Sequence, residues 1–233
     1  MPNYLNDDEL AHAKGLLDRM TTIYQHTVVG QEALRRALTA SLLAGGHVLV
    51  ESVPGLAKTT AAQTLASAVS GTFHRIQCTP DLMPNDIVGS QIWNQERGEM
   101  VTRLGPVHAN LVLLDEINRS SAKTQSAMLE AMQERQTTIG GVNHQLPDPF
   151  MVMATQNPIE EEGTYVLPEA QMDRFLLKEV ITYPTPVEEF EVLSRIDSGQ
   201  MTRPADVAPI ALDDVRTLQE ARRRVYVHET LKA

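Results

Sequence analysis

The sequence is poor in cysteine and in aromatic residues. Its 233 residues include one cysteine, Cys78, so an intrachain disulfide and a zinc site built from several cysteines are excluded. Aromatic residues make up only 4% of the chain, so aliphatic and methionine side chains have to build the core.

Long hydrophobic runs are also missing. The most apolar long window, residues 37–57, is interrupted by a glycine pair, Glu51 and Pro54, so it does not have the composition of a membrane span. The acidic amino terminus contains no apolar segment of the kind found in secretory signals. We therefore expect a cytoplasmic protein without a membrane span.

The chain has fewer basic than acidic residues. Lysine and arginine total 20 against 30 aspartate and glutamate residues, for a net charge of −10. A chain that binds nucleic acid across its surface would carry a basic stripe, so the acidic balance argues against a nucleic-acid motor. The apolar fraction of 42% is enough for a globular core.

Strand-like and helix-like segments alternate along the chain, which favours a parallel α/β sheet. The predicted strands cover residues 47–51, 73–77, 111–114, 150–155 and 176–183. The predicted helices cover residues 7–24, 31–44, 58–70, 121–135 and 186–197, and a further helix begins at residue 213. Residues 136–146 contain a glycine pair between alternating stretches, which is typical of a β-hairpin.

The segment at residues 52–59 lies between a predicted strand and a predicted helix. Backbone N–H groups, the helix N-terminus and Lys58 could bind phosphate there, and the Thr59 hydroxyl could face a phosphate-bound Mg²⁺. Both glycine positions of the general phosphate-loop pattern are occupied by other residues, Ser52 and Ala57. Taken alone, the segment is equally compatible with an ordinary turn before a helix.

Two further polar groups follow buried strands. Asp115 and Glu116 end the apolar run 111–114, where the first carboxylate could support Mg²⁺ and the second could polarise an attacking water. Asn157 follows the next apolar strand and could hold a water or a γ-phosphate oxygen. The alternatives are a helix cap for the carboxylates and a turn for Asn157. The three features together predict an ATP site.

Seven motifs give the sequence a specific resemblance to MoxR-type AAA+ ATPases of the helix-2-insert clade. These motifs are VVGQ at 28–31, VPGLAKT at 53–59, TPDLMP at 79–84, LDEINR at 114–119, LEAMQE at 129–134, ATQNP at 154–158 and LPEAQMDRF at 167–175. In this family an alanine before the lysine is normal, whereas Ser52 stands where the family has glycine. If that position needs a positive φ, Ser52→Gly should raise nucleotide affinity.

The resemblance implies an α/β AAA+ core, with a five-stranded parallel sheet sandwiched by helices. It implies β-hairpin insertions at about 85–108 and 136–146. The expected organisation is a core at 1–198, a linker at 199–212 and the start of a truncated helical lid at 213–233.

The resemblance also assigns roles to site residues. Lys58 would contact the β- and γ-phosphates, Thr59 and Asp115 would serve Mg²⁺, and Glu116 would activate water. Asn157 would be sensor 1, and Arg174 would be a finger that reaches a neighbour's γ-phosphate, unless it pairs with an acid of its own chain. The remaining nucleotide-binding positions would be Val28, Val29, Pro54, Gly55, Leu56, Ala57 and Thr60.

Family members act as hexameric, chaperone-like ATPases, often with a von Willebrand factor A domain partner and a protein client. The resemblance therefore implies a homo-oligomeric enzyme that uses ATP and Mg²⁺ to remodel protein complexes. The alternative is a nucleotide-dependent scaffold with weak or no hydrolysis. Three roles stay open for Arg119: a contact with the nucleotide, a contact with another subunit, or an intrachain salt bridge.

Overall fold

The computed structural model describes residues 4–53, 55–158, 165, 167–200 and 206–231. The strands in this part of the chain are β1 (Val48–Ser52), β2 (Phe73–Gln77), β3 (Gly89–Asn94), β4 (Glu99–Leu104), β5 (Leu111–Asp115), β6 (Gln136–Ile139), β7 (Val142–Gln145), β8 (Met151–Gln156) and β9 (Leu177–Ile181). Five of them form one sheet in the order β2-β5-β8-β1-β9, and every pair in it is parallel. The predicted α/β class with a five-stranded parallel sheet is confirmed.

Helices cover both faces of this sheet. The α-helices of the described residues are α1 (Asp7–Thr27), α2 (Glu32–Ala44), α3 (Lys58–Ala68), α4 (Pro84–Val88), α5 (Ala122–Glu134), α6 (Glu169–Met172), α7 (Pro186–Asp197) and α8 (Leu212–Arg223). A capping box formed by Asn6 and Glu9 starts α1. This helix ends at Thr27 rather than at residue 24, and the Val28 N–H donates to the Tyr24 carbonyl at its end. The short helices α4 and α6 were not predicted.

The core lies in two clusters, one on each face of the sheet. Along β5, Leu111 and Leu113 join the cluster that contains α1, α2 and α3, whereas Val112 and Leu114 join the cluster that contains α5. A strand covered on both faces has no polar side, which explains the continuous apolar run in its sequence. The central strands of the sheet are therefore enclosed on both faces, whereas the edge strands β2 and β9 keep exposed residues.

Two hairpins project from this core. Strands β3 and β4 pair antiparallel within the predicted 85–108 insertion, and β6 and β7 pair antiparallel within the predicted 136–146 hairpin. Near the tip of the first hairpin, Trp93 lies opposite Met100, and both side chains are exposed. At its base, Gly89 has φ +111°, and a Cβ there would lie 2.3 Å from the carbonyl oxygen of Arg103, so only glycine fits.

The last helix packs back onto the first two. Val215 and Leu218 of α8 are buried in the same cluster as Leu16, and the Gln219 side chain donates to the carbonyl of Leu42 (2.8 Å). The division into core, linker and lid stays a prediction, and residues 201–205 and 232–233 of those segments lie outside the described residues. Among the described helices, none has the length and apolarity needed to cross a membrane.

The lone cysteine and one histidine are interior groups. Burial raises the pKa of Cys78 to about 12, so its thiol stays protonated near neutral pH. The ring of His47 lies just before β1, where Nδ1 accepts from the Val152 N–H (3.0 Å) and Nε2 faces the Met132 carbonyl (3.3 Å). A neutral ring with its proton on Nε2 satisfies both partners, and it ties β1 to β8 and α5.

This histidine should make stability depend on pH. Burial and the nearby charge of Arg135 lower the pKa of His47 to about 4, so the unfolded chain, with its ordinary pKa near 6.5, binds the proton first on acidification. The contribution of His47 to the free energy of unfolding is complete above pH 6.5. It decreases by up to about 3 kcal/mol as the pH falls towards 4. Urea unfolding of wild type and His47→Gln between pH 4.5 and 7 measures this slope.

The glutamine variant should show a weaker pH dependence than wild type. His12→Gln, which replaces an exposed histidine, is the control. Identical pH slopes for wild type and His47→Gln would contradict the assignment.

Candidate active site

The polar groups singled out in the sequence meet at the carboxyl edge of the sheet. In a parallel sheet all strands end at the same edge, where ligands commonly bind. Ser52 ends β1, Asp115 ends β5 and Gln156 ends β8, and these three strands are neighbours in the sheet. Glu116 and Asn157 directly follow β5 and β8, and Lys58 begins α3 after the loop that follows β1.

Two of the described residues in the loop between β1 and α3 have positive φ. Gly55 has φ +85°, and Ala57 has φ +53° immediately before α3. Among the described residues no side chain caps the start of α3, so the N–H groups of its first turn are available to an anion. Buried Leu56 fixes the loop to the core, and Pro54 lies outside the described residues.

The side chain of Lys58 lies back across this loop. Its Nζ donates to Ser52 Oγ (2.7 Å) and to the Val53 carbonyl (3.1 Å). Partial burial lowers the pKa of Lys58, and attraction to Asp115 and Glu116 opposes that shift. Since an ammonium has three N–H donors, two fixed acceptors leave one donor for a ligand.

The expectation that Ser52 strains the loop is wrong in its premise. Ser52 is the last residue of β1, it pairs in register with Ile181, and it is not among the residues with positive φ. An extended conformation suits serine as well as glycine. The backbone therefore gives no reason for Ser52→Gly to raise nucleotide affinity.

Asp115 is buried and held from two sides. Its Oδ1 accepts from Thr155 Oγ1 (2.8 Å), and its Oδ2 accepts from Arg75 Nε (3.2 Å) and Nη2 (2.5 Å). Arg75 projects from β2 and Thr155 from β8, the strands on either side of β5. The sheet thus fixes this carboxylate directly, as a metal ligand requires.

Glu116 has a left-handed backbone with φ +58° and ψ +53°. For a residue other than glycine this conformation costs about 1–2 kcal/mol. Its N–H donates to Thr155 Oγ1 (2.9 Å), which compensates part of that cost. Its Oε2 accepts from Gln77 Nε2 (3.0 Å) and pairs with Arg119 Nε (3.2 Å), so the intrachain salt bridge considered for Arg119 is present.

The remaining predicted groups lie around these residues. Asn157 is buried directly after β8, between the ends of β5 and β1. Thr59 and Thr60 lie in the first turn of α3 and are partly buried. Val28 is buried at the end of α1 in the same hydrophobic cluster as Leu56, and Val29 beside it is partly buried.

Arg174 lies at the opposite edge of the sheet, where the parallel strands begin. It comes shortly before β9, and two positions further on Leu176 donates its N–H to the carbonyl of His47 (2.8 Å), just before β1. The Arg174 side chain is exposed, and within the described part of the chain it makes no ion pair with Asp173 or Glu169. Arg174 is therefore separated from the loop between β1 and α3 of its own chain by the length of β1.

Three contributors to the site were missed in the sequence: Arg75, Gln77 and Thr155. Arg75 and Gln77 lie on β2, an edge strand in which Ile76 alone is buried, so its polar residues resemble ordinary solvent-facing ones. The register places Gln77 opposite Asp115, and this pairing could have indicated a role for Gln77 once the strand order was known. Thr155 lies inside an apolar run, where a β-branched residue carries no functional signal.

A family model matches more than half of the chain. Residues 47–177 match the model of the ATPase family associated with various cellular activities (AAA). Chaperone MoxR1 of Mycobacterium tuberculosis is 51% identical over 215 residues, which cover 92% of this chain and 56% of that protein. Protein MoxR of Methylorubrum extorquens is 33% identical over 156 residues, which cover 65% of this chain and 45% of that protein.

A solved structure is similar over nearly the whole chain. The crystal structure of a candidate ATPase from Cytophaga hutchinsonii matches with a TM-score of 0.87 and 41% identity, and the match covers 97% of this chain and 68% of that one. The chain belongs to the MoxR-type AAA ATPases. It spans little more than half the length of chaperone MoxR1.

The hydroxyl of Thr155 bonds both to the Asp115 side chain and to the Glu116 backbone, so removing it should reduce stability. Thr155→Val keeps the shape but leaves the Glu116 N–H without an acceptor and Asp115 Oδ1 without a donor. We expect a loss of about 1–3 kcal/mol in the free energy of unfolding, measured with urea. Thr155→Ser, which keeps the hydroxyl, should lose less, and a valine variant as stable as wild type would contradict the role of this hydroxyl.

Proposed function

We propose that the chain binds ATP at the carboxyl edge of the sheet and hydrolyses it with Mg²⁺. The observation that carries this proposal is the setting of Lys58. Its half-buried ammonium donates to two acceptors of its own chain, so one N–H donor remains for a ligand. The residue also begins a helix that has no side-chain cap in the described residues. A phosphate group supplies the negative charge and the acceptor that this arrangement lacks.

The donor set also fits Mg²⁺, which prefers oxygen ligands and often binds through one or two carboxylates plus substrate phosphates. Asp115 is a buried carboxylate with a fixed orientation, and Thr59 supplies a hydroxyl in the first turn of α3. These two residues would hold the ion. When bound, Mg²⁺ neutralises charge on the phosphates.

The other residues have roles that follow from their chemistry. Glu116 orients a water and accepts its proton through Oε1, since the contacts with Gln77 and Arg119 are both made by Oε2. The buried amide of Asn157 holds that water or a γ-phosphate oxygen. Val28 and Val29 provide apolar contacts for the adenine, and the backbone around Gly55, Leu56 and Ala57 surrounds the phosphates. Pro54 and Thr60 complete the nucleotide-binding set.

Arg174 acts in a neighbouring subunit. Its position at the opposite edge of the sheet and its exposed side chain support this role, because it is remote from the site of its own chain. We infer a homo-oligomeric ring, hexameric in the complete protein, that works in the cytoplasm on a protein client with a von Willebrand factor A domain partner. The chaperone naming of MoxR1 supports this activity.

One observation favours a second candidate, a nucleotide-dependent scaffold with little hydrolysis. Both carboxylates are held in ion pairs, Asp115 with Arg75 and Glu116 with Arg119. If nucleotide does not release them, the chain would bind ATP without turnover. Phosphate release by the wild-type chain separates the two candidates, since the scaffold predicts binding without release.

Removal of the lysine charge should remove the nucleotide. Lys58→Ala is expected to weaken Mg²⁺-dependent binding of a fluorescent ATP analogue by roughly 100-fold or more, because it removes the charge that faces the phosphates. Fluorescence titration measures the affinity, and Lys123→Ala, which removes an exposed lysine of α5, is the control. Equal affinity of Lys58→Ala and wild type would remove Lys58 from the site.

The shared site can be tested by mixing two inactive variants. Glu116→Gln and Arg174→Ala should each bind ATP and release almost no phosphate, since an arginine finger contributes roughly 10³–10⁵ in rate. A mixture should recover activity that rises with protein concentration, because some interfaces pair an intact Glu116 with an intact Arg174. A mixed oligomer as inactive as its components would contradict action between subunits.

A further inference from the structure

Ser52 gives the phosphate loop an interaction that glycine cannot provide. Its Oγ accepts from Lys58 Nζ at 2.7 Å, the shorter of the two hydrogen bonds that the ammonium donates. The resemblance to the family expects glycine here, which has no side chain, so this contact is a property of this chain. The inference rests on the proposed function, because it concerns the same lysine.

The hydroxyl has a fixed position and a fixed direction. Ser52 is 2% exposed and lies in β1, where it pairs in register with Ile181 of β9. Its own O–H donates to the Val53 carbonyl (3.2 Å), so the oxygen lone pairs are left for the ammonium. A buried strand residue with its single proton already engaged is a rigid acceptor.

The ammonium needs such an acceptor. Lys58 is partly buried, so water cannot supply every acceptor that its ammonium needs. Without the hydroxyl, the Val53 carbonyl would be the one hydrogen-bond acceptor that the described residues offer to Nζ. The long side chain would then be free to rotate about its remaining bond.

We propose that Ser52 is a positioning residue, which holds the Lys58 ammonium at the end of β1 so that its third N–H points to a bound phosphate. The lysine is then oriented before nucleotide arrives, and binding does not have to order it. Removal of the hydroxyl should weaken ATP binding, the opposite of the result expected from the sequence. The loss should be roughly tenfold, equivalent to about 1.4 kcal/mol.

The first test examines the hydrogen bond between Ser52 and Lys58 in the absence of nucleotide. The full chain is treated briefly with an amine-reactive reagent, and modification of Lys58 is quantified by mass spectrometry. Ser52→Ala and Ser52→Gly should increase the rate at Lys58 severalfold, because the amine loses the hydrogen bond that holds it at the end of β1 and becomes more accessible to the reagent. Exposed Lys14 and Lys123 serve as internal references whose rates should not change.

Matched variants separate positioning from general packing. Ser52→Thr keeps a hydroxyl and should keep Lys58 slow to react. Ser41→Ala removes another fully buried serine hydroxyl, one without a hydrogen-bond partner in the described residues, and should leave Lys58 unchanged. Unchanged Lys58 reactivity in whichever of Ser52→Ala and Ser52→Gly folds would overturn the proposal.

The second test measures ATP affinity of the same variants by fluorescence titration. A roughly tenfold loss in Ser52→Ala, with wild-type affinity in Ser41→Ala, supports the proposal, and equal or tighter binding by Ser52→Ala overturns it. If the wild-type chain binds no ATP, the proposed function fails instead. The labelling result still decides whether Ser52 holds Lys58, so the two failures are distinguishable.

Discussion

The parallel pairing of β1, β5 and β8 is the constraint on which the site depends. These strands are buried on both faces, and their register leaves Ser52, Asp115 and Gln156 at one edge. The hydroxyl of Thr155 then bonds both to the Asp115 side chain and to the backbone of Glu116. A shift in the register of β8 would break both bonds, so the geometry of the site depends on the register of the sheet.

The charges at this edge are held in balance before any nucleotide is present. Asp115 is paired with Arg75, Glu116 with Arg119, and the Lys58 ammonium has neutral oxygen acceptors. A phosphate and a divalent cation would add opposite charges to the same edge. We infer that the cation replaces Arg75 as the partner of Asp115, whereas Lys58 keeps its bond to Ser52 and gains one to a phosphate oxygen.

Sequence patterns predicted the sheet and the edge where the polar groups meet, because burial on both faces and glycine-containing turns leave strong local signals. The strand 111–114 and the helix 186–197 illustrate this, since each is within one residue of the observed element. The roles of Arg75, Gln77 and Thr155 depend on which strands are neighbours, and strand order is not a local property of the sequence. The expected effect of Ser52 was wrong for a related reason. Its side chain contacts Lys58, six residues further along the chain, whereas the sequence argument considered only its own backbone.

The central claim is that the carboxyl edge of the sheet is a Mg²⁺–ATP site. A crystal structure of the Glu116→Gln chain with a non-hydrolysable ATP analogue and Mg²⁺ tests it most directly. We expect the phosphates to lie against the loop at residues 53–59, with Lys58 bonded both to a phosphate oxygen and to Ser52, and with Asp115 beside the metal. A nucleotide bound elsewhere, or phosphates that make no contact with Lys58, would contradict the account.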